Sequence, residues 1–246
     1  MSRLPRLELP QWPHLLMQST APGEPLFRDQ EDAAALCRAL LEAARQHDVA
    51  LHAYVLREDG LDLLATPATQ GALGLFMQAV GRRYVAGYNR RHRRLGGLWA
   101  GRFRATVLDP ARYLLDAMVY IESQPWRAGL VHEVCDPCAT MPTSLPHHLG
   151  RGSDPLVQDH ALFWGMGNTP FEREAAWRKR VEQGIGESVS QALREATRKG
   201  WALASDEVLA KGQALTARRL SPKPRGRPRK SQTAAQAGSP PSIPGK

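Results

Sequence analysis

Apolar residues recur along the first half of this chain with two alternating periods. Leu15 to Gln18 is a short apolar run with the length of a strand, and Glu31 to His47 carries Ala34, Leu36, Leu40, Leu41 and Ala44 at helical spacing. Ala50 to Leu56 and Leu61 to Ala65 read as two strands joined through Arg57-Glu58-Asp59-Gly60, where Asp-Gly suits a hairpin turn. A helix follows from Ala72 to Arg93, then a strand at Phe103 to Leu108, then a helix starting near Asp109-Pro110. The order βαββαβ predicts an α+β protein of the ferredoxin-like, split βαβ type: one antiparallel sheet with two helices on one face. Glu172 to Gln183 and Ser188 to Gly200 are predicted helical and form an extension beyond that unit.

The pattern divides the chain into residues 1–135, a sheet domain; 136–220, a loop and helical extension; and 221–246, a basic tail. That tail is rich in proline, glycine, serine and lysine, has too little apolar surface to fold, and is expected to be disordered. Within it Pro224-Arg225-Gly226-Arg227-Pro228-Arg229-Lys230 resembles an AT-hook, whose extended Arg-Gly-Arg-Pro core lies in a narrow A·T minor groove; a generic electrostatic tail is the alternative.

Charge sharpens the picture. Over 246 residues, 33 lysines and arginines face 24 acids, a net charge of +9 that suits a polyanionic partner, nucleic acid before an anionic membrane. No apolar run is long enough to span a bilayer and the N-terminus lacks a signal-peptide core, so a cytoplasmic, nucleoid-associated protein is expected. Three cysteines do not make a disulfide framework, and Cys135-x-x-Cys138 is a lone pair. The adjacent His147-His148, in a proline-bounded loop, is expected at the surface.

The charge is unevenly spread. From Arg82 to Arg104 eight arginines (Arg82, Arg83, Arg90, Arg91, Arg93, Arg94, Arg102 and Arg104) occur with no acid among them. Tyr84, Tyr88, Trp99 and Phe103 are interleaved. Guanidinium groups grip phosphates and aromatic faces stack on unpaired bases, which favours single-stranded or hairpin nucleic acid; a solvated basic face over core aromatics is the plainer reading.

The stretches Ala53 to Pro67, Met77 to Arg104 (with Leu98-Trp99-Ala100-Gly101-Arg102-Phe103) and Tyr113 to Val131 (with Tyr120-Ile121-Glu122-Ser123-Gln124-Pro125) resemble the REP-associated tyrosine transposases. These form an insertion-sequence-200-like branch of the HUH endonucleases, and the resemblance runs from Leu9 to Lys230. It implies a monomer that acts on hairpin-bearing single-stranded DNA of repetitive palindromic elements. A tyrosine hydroxyl there attacks a phosphodiester, leaving a 5′-phosphotyrosine and a free 3′-hydroxyl, while Mg2+ or Mn2+ polarises the phosphate.

By this resemblance Tyr120 takes the nucleophile position and Gln124 that of a helix-borne metal ligand. The metal-binding histidine pair of the family, separated by one residue on a strand, is replaced by Gly60 and Asp62. Asp62 and Gln124, joined by Glu58 or by Asp59, are the ligands left for an all-oxygen site. The Gln-Arg-Gly that ends the family's first strand is also absent at Met17-Gln18-Ser19-Thr20, and so is its Trp-Ser-Ser-Tyr segment near 139–144. The resemblance therefore leaves two functions: strand cleavage and transfer impaired at its metal site, or a catalytically inactive DNA-hairpin binder.

Overall fold

The computed structural model describes residues 6–133, 136, 138 and 140–222. The AT-hook-like residues Arg225, Arg227, Arg229 and Lys230, and Cys135, lie outside them. Strand β1 (His14–Ser19) leads to helix α1 (Gln30–Gln46), the hairpin β2 (Val49–Arg57) and β3 (Gly60–Pro67), helix α2 (Ala72–Arg91) and strand β4 (Arg104–Val107). The strands pair throughout antiparallel in the order β2-β3-β1-β4. This is the α+β, split βαβ arrangement that the periodicity predicts, with each element within a few residues of its expected limits.

Alternation along the strands divides the core. Leu16, Leu51, Leu61, Leu63 and Ala65 point to α1 and α2, where they meet Leu36, Leu40, Phe76 and Val80. Leu15, Ala53, Val55 and Leu64 point the other way, to helix α3 (Pro110–Glu122) through Leu114, Met118 and Ile121. Proline at the first turn of α3 uses a position whose N–H has no helical partner. Both faces are thus covered, which is why β3 reads as an almost unbroken apolar run.

The second layer is completed from beyond residue 136. The short helices α4 (Gln124–Arg127), α5 (Leu145–His148) and α6 (Ala161–Trp164) lead to α7 (Pro170–Gln183), α8 (Glu187–Lys199) and α9 (Asp206–Gln213). Trp177 of α7 and Leu193 of α8 are fully buried in the same cluster as α3, and each large apolar side chain so buried contributes about 2 kcal/mol. The segment after α8 holds Leu203 against β4 through paired backbone bonds, Leu203 N–H to Val107 O at 2.8 Å and Asp109 N–H to Leu203 O at 3.0 Å. The extension is therefore part of the sheet's packing. Among the described residues no helix is long and apolar enough to cross a membrane.

One expectation is corrected here. His148 is 1% exposed rather than at the surface, because α5 is drawn under α7 and its ring packs between Phe163 and Trp177.

Two other histidines are locked in one protonation state. In His14, Nδ1 donates to Trp12 O (2.7 Å) while Nε2 accepts the Leu9 N–H (3.2 Å). In His52, Nδ1 donates to Gln158 O (2.7 Å) while Nε2 accepts the Thr66 hydroxyl (2.9 Å). A second proton on His14 would face the Leu9 N–H, one on His52 would force the Thr66 hydroxyl to turn and accept, and burial pushes both down to about 4. The unfolded chain takes up these protons near pH 6.5, so their contribution is complete above that pH and fades as the pH falls towards 4. Chemical denaturation should therefore show stability falling between pH 6.5 and 4, by on the order of 3 kcal/mol per histidine, and a His14→Gln variant should have a visibly flatter profile.

Candidate nucleic-acid interface

The far end of the β2-β3 hairpin carries charge into the sheet. Asp62 lies one step before Leu63 and opposite Val55 in the ladder, so it faces α3 on the side of Leu64. At 1% exposure it is a buried carboxylate. Arg57, the last residue of β2, reaches over it: Nη1 is 2.6 Å from Asp62 Oδ2, and Nε is 2.9 Å from Asp59 Oδ1. Gln124 closes the group, donating from Nε2 to Asp62 Oδ2 at 2.8 Å and accepting from Arg57 Nη1 at 3.4 Å. Asp62 Oδ1 is buried with no hydrogen-bond partner among the described residues. Partial burial works against the Arg57 charge, but the Asp62 carboxylate and the hydrogen bonds to it outweigh that and hold the guanidinium firmly protonated.

Tyr120 stands beside this group on α3, 6% exposed. Arg127 of α4 lies over its ring, 5.4 Å from the centroid. Burial, reinforced by the Asp62 charge, pushes its phenol up to about 12 against the pull of Arg194, Arg57 and Arg127. The helix that carries it ends at Glu122, so Gln124 reaches Asp62 from the first residue of α4 rather than from the same helix.

A cleft of about 890 Å3 opens over Tyr120, Asp62 and Gln124. Its walls are the end of β1, the segment 100–105 leading into β4, and helix α8. Eight cationic side chains line it, namely Arg6, Arg57, Arg102, Arg104, Arg194, Arg198, Lys199 and Arg218. They face two acids, Asp59 and Asp62, both of which Arg57 already engages. The result is a strongly positive groove.

The sequence-predicted residues divide around it. Tyr120, Asp62, Gln124, Arg102 and Arg104 meet in the cleft. Glu58 does not: it is exposed in the hairpin turn, where its carbonyl accepts the Leu26 N–H at 2.6 Å. Arg82, Arg83, Arg90, Arg91, Arg93 and Arg94 do not line it either, because α2 covers the opposite face of the sheet. Several of these are neutralised from α1 and its approach. Arg91 contacts Asp29, Glu31 and Asp32; Arg83 contacts Glu42; Arg94 contacts Glu24. Part of the acid-free run in the sequence is thus paired in space with acids some 40 to 70 residues earlier. Tyr84 and Tyr88 are core residues whose hydroxyls donate to the carbonyls of Leu26 and Pro25.

Sequence reading passed over Arg57, Arg194, Arg198 and Lys199. The last three carry a usable signal, the spacing i, i+4, i+5 along the border of the buried face formed by Ser190, Leu193 and Thr197 of α8. Only packing shows that this basic face meets β4 and the tyrosine.

Gly60 has its own constraint. It pairs with Arg57 on one side and Ser19 on the other, and a Cβ at this position would stand 2.3 Å from the Gln18 carbonyl oxygen. Gly60→His, even combined with Asp62→His, should therefore lower stability by about 3 kcal/mol instead of rebuilding a histidine pair. Removing the cation from the buried pair should cost a similar amount: Arg57→Met is expected to lose about 3 kcal/mol in urea unfolding, largely recovered when Asp62→Leu is added.

No family model and no curated protein matches the chain. The fold does match a solved structure, described as that of "the REP associates tyrosine transposase bound to a REP hairpin", with a TM-score of 0.52 and 15% identity; the match covers 66% of this chain and 93% of that one. At that identity what the two share is the fold, a distant relationship in architecture.

Proposed function

We propose that this protein binds hairpin-bearing single-stranded DNA in the cleft over Tyr120, and that it holds the strand without cutting it. The observation that carries this reading is the set of eight cationic side chains converging on a tyrosine whose neighbouring carboxylate is already neutralised. A phosphodiester backbone suits such a groove, because the acids that line it are spent on Arg57, and Arg194 and Lys199 hold their own partners, Glu187 and Glu195, in solvent-exposed pairs that a phosphate can replace. The solved structure that shares this fold contains a REP hairpin, which supports a hairpin as the partner. The Arg-Gly-Arg-Pro tail would add contacts to A·T-rich duplex beside it.

The residues at Asp62 do not fit the Mg2+ or Mn2+ that the family resemblance implies. Oδ2 is engaged by Arg57 and Gln124, which leaves Oδ1, without a partner among the described residues, as a single ligand atom, too few for an octahedral ion. Gly60 offers no ligand atom and no room for one, and Glu58 faces solvent. A second cation beside Arg57 would also meet like-charge repulsion in a poorly solvated site. The guanidinium thus stands as a fixed positive charge where the resemblance expects an ion. Among the described residues lining the cleft there is no histidine to take a proton from the phenol. With its phenol pushed up to about 12, Tyr120 stays protonated near pH 7. It can still hydrogen-bond a phosphate or stack on a base.

Fluorescence anisotropy with a labelled DNA hairpin tests the binding. Arg194→Ala/Arg198→Ala/Lys199→Ala should weaken it at least about 30-fold and flatten the salt dependence by roughly 0.7–0.9 per lost phosphate contact. Arg83→Ala/Arg91→Ala, on the opposite face, should change it less than twofold. Equal losses in both variants would place the DNA elsewhere. Incubation with the hairpin and Mn2+ should give no denaturation-resistant adduct. An adduct that disappears in Tyr120→Phe would instead establish strand cleavage through a phosphotyrosine link.

A further inference from the structure

Behind the tyrosine helix, the segment from Thr143 to His160 folds back along β2. Ser144 N–H bonds Tyr54 O at 3.1 Å, and Gln158 N–H bonds Leu51 O at 2.6 Å. This return brings together His147 and His148 of α5 and Asp159, whose ligand atoms all lie within 4.8 Å of one another. None of the three lines the basic cleft, and the DNA reading does not use them.

Their spacing is unusual for hydrogen bonds. Asp159 Oδ1 is 3.4 Å from His147 Nε2 and 3.4 Å from His148 Nε2, whereas charged N–H···O bonds close to roughly 2.7–2.9 Å. His148 Nε2 and Asp159 Oδ1 are both buried with no hydrogen-bond partner among the described residues, and the His148 side chain is fully buried. Two ligands of a tetrahedral zinc ion with bonds of about 2.0–2.1 Å stand roughly 3.4 Å apart. The two separations from Asp159 Oδ1 are those of ligands around such an ion.

The surroundings prepare His148 for that role. Its Nδ1 is 2.6 Å from Glu122 Oε1, which leaves Nε2 to point at Asp159. Glu122 is itself held by Trp177 Nε1 at 2.9 Å and by the Ser144 hydroxyl. A carboxylate behind a histidine fixes its ring and makes the other nitrogen a better ligand.

We propose that His147 Nε2, His148 Nε2 and Asp159 Oδ1 bind a divalent cation of the zinc class, with water as the fourth ligand. Two imidazoles and one carboxylate suit zinc and disfavour magnesium or calcium. His147 and Asp159, 19% and 17% exposed at the side chain, leave the site open to solvent on one side. His148 and Asp159 are the anchoring pair. His147 is the adjustable ligand, since its Nδ1 accepts the Asp154 N–H at 3.1 Å and must release it to give Nε2 to the ion. Because Glu122 lies two residues beyond Tyr120, the ion would pin the 143–160 segment to the end of the tyrosine helix.

The test is a titration of EDTA-stripped full-length protein with ZnCl2 against a chromophoric chelator, with thermal unfolding in parallel. One zinc per chain should bind, and Tm should rise by several degrees in excess zinc. Asp159→Asn, a partly exposed and isosteric change, should weaken binding at least tenfold and abolish the Tm shift while leaving the metal-free Tm within a few degrees. His147→Ala should weaken it less. Cys135→Ser/Cys138→Ser should leave it unchanged. The proposal fails if no zinc binds, if Asp159→Asn binds as the wild type does, or if the cysteine variant is the one that loses the ion.

Discussion

β3 runs between β2 and β1 and is covered on both faces, so whatever it carries must be satisfied inside the protein. Leu61, Leu63 and Ala65 meet α1 and α2, and Leu64 meets α3. Asp62 meets the same constraint with a charge. Left alone at 1% exposure it would be strongly disfavoured, and the hairpin answers by curling Arg57 over it with Gln124 as a second donor. Gly60 answers differently, by having no side chain where the Gln18 carbonyl approaches. The interior position of one strand thus sets the chemistry at the floor of the cleft.

That floor gives the cleft its sign. If Asp59 and Asp62 were unpaired, two negative charges would repel a phosphate chain beside Tyr120. Because Arg57 takes both, the field over the tyrosine is set by the cations of the walls. Those walls come from distant parts of the chain, the segment before β4 and helix α8. Helix α8 is placed there by burying Ser190, Leu193 and Thr197, and its basic side chains Arg194 and Lys199 are steadied by Glu187 and Glu195 of the same helix. On the proposed reading, the side chains that would meet DNA border the seam that holds the helix in place. In the proposed cation site behind α3, Glu122 and Trp177 belong to the core with the buried His148, and only His147 and Asp159 reach partway to solvent.

Much of the architecture was legible in the amino-acid sequence, because a two-residue period and a helical period leave local marks. The strand and helix order, the hairpin at Glu58-Asp59, and Tyr120 on a helix after β4 could all be read from spacing or resemblance, and the structure has each. That Gly60 and Asp62 stand where relatives carry two histidines was an expectation from the resemblance, not something residue spacing could show. The distribution of charge was not. A run of eight arginines without an acid looked like the DNA surface, yet Arg83, Arg91 and Arg94 meet acids from α1 and its approach. Conversely, Arg57 and the basic face of α8 gave little local sign of their role, and His147-His148 looked like a surface pair until α5 was drawn beneath α7. The physical reason is range: side-chain periodicity is set by neighbours three or four residues away, whereas a charge is defined by whatever the fold brings within a few ångströms, from any distance along the chain.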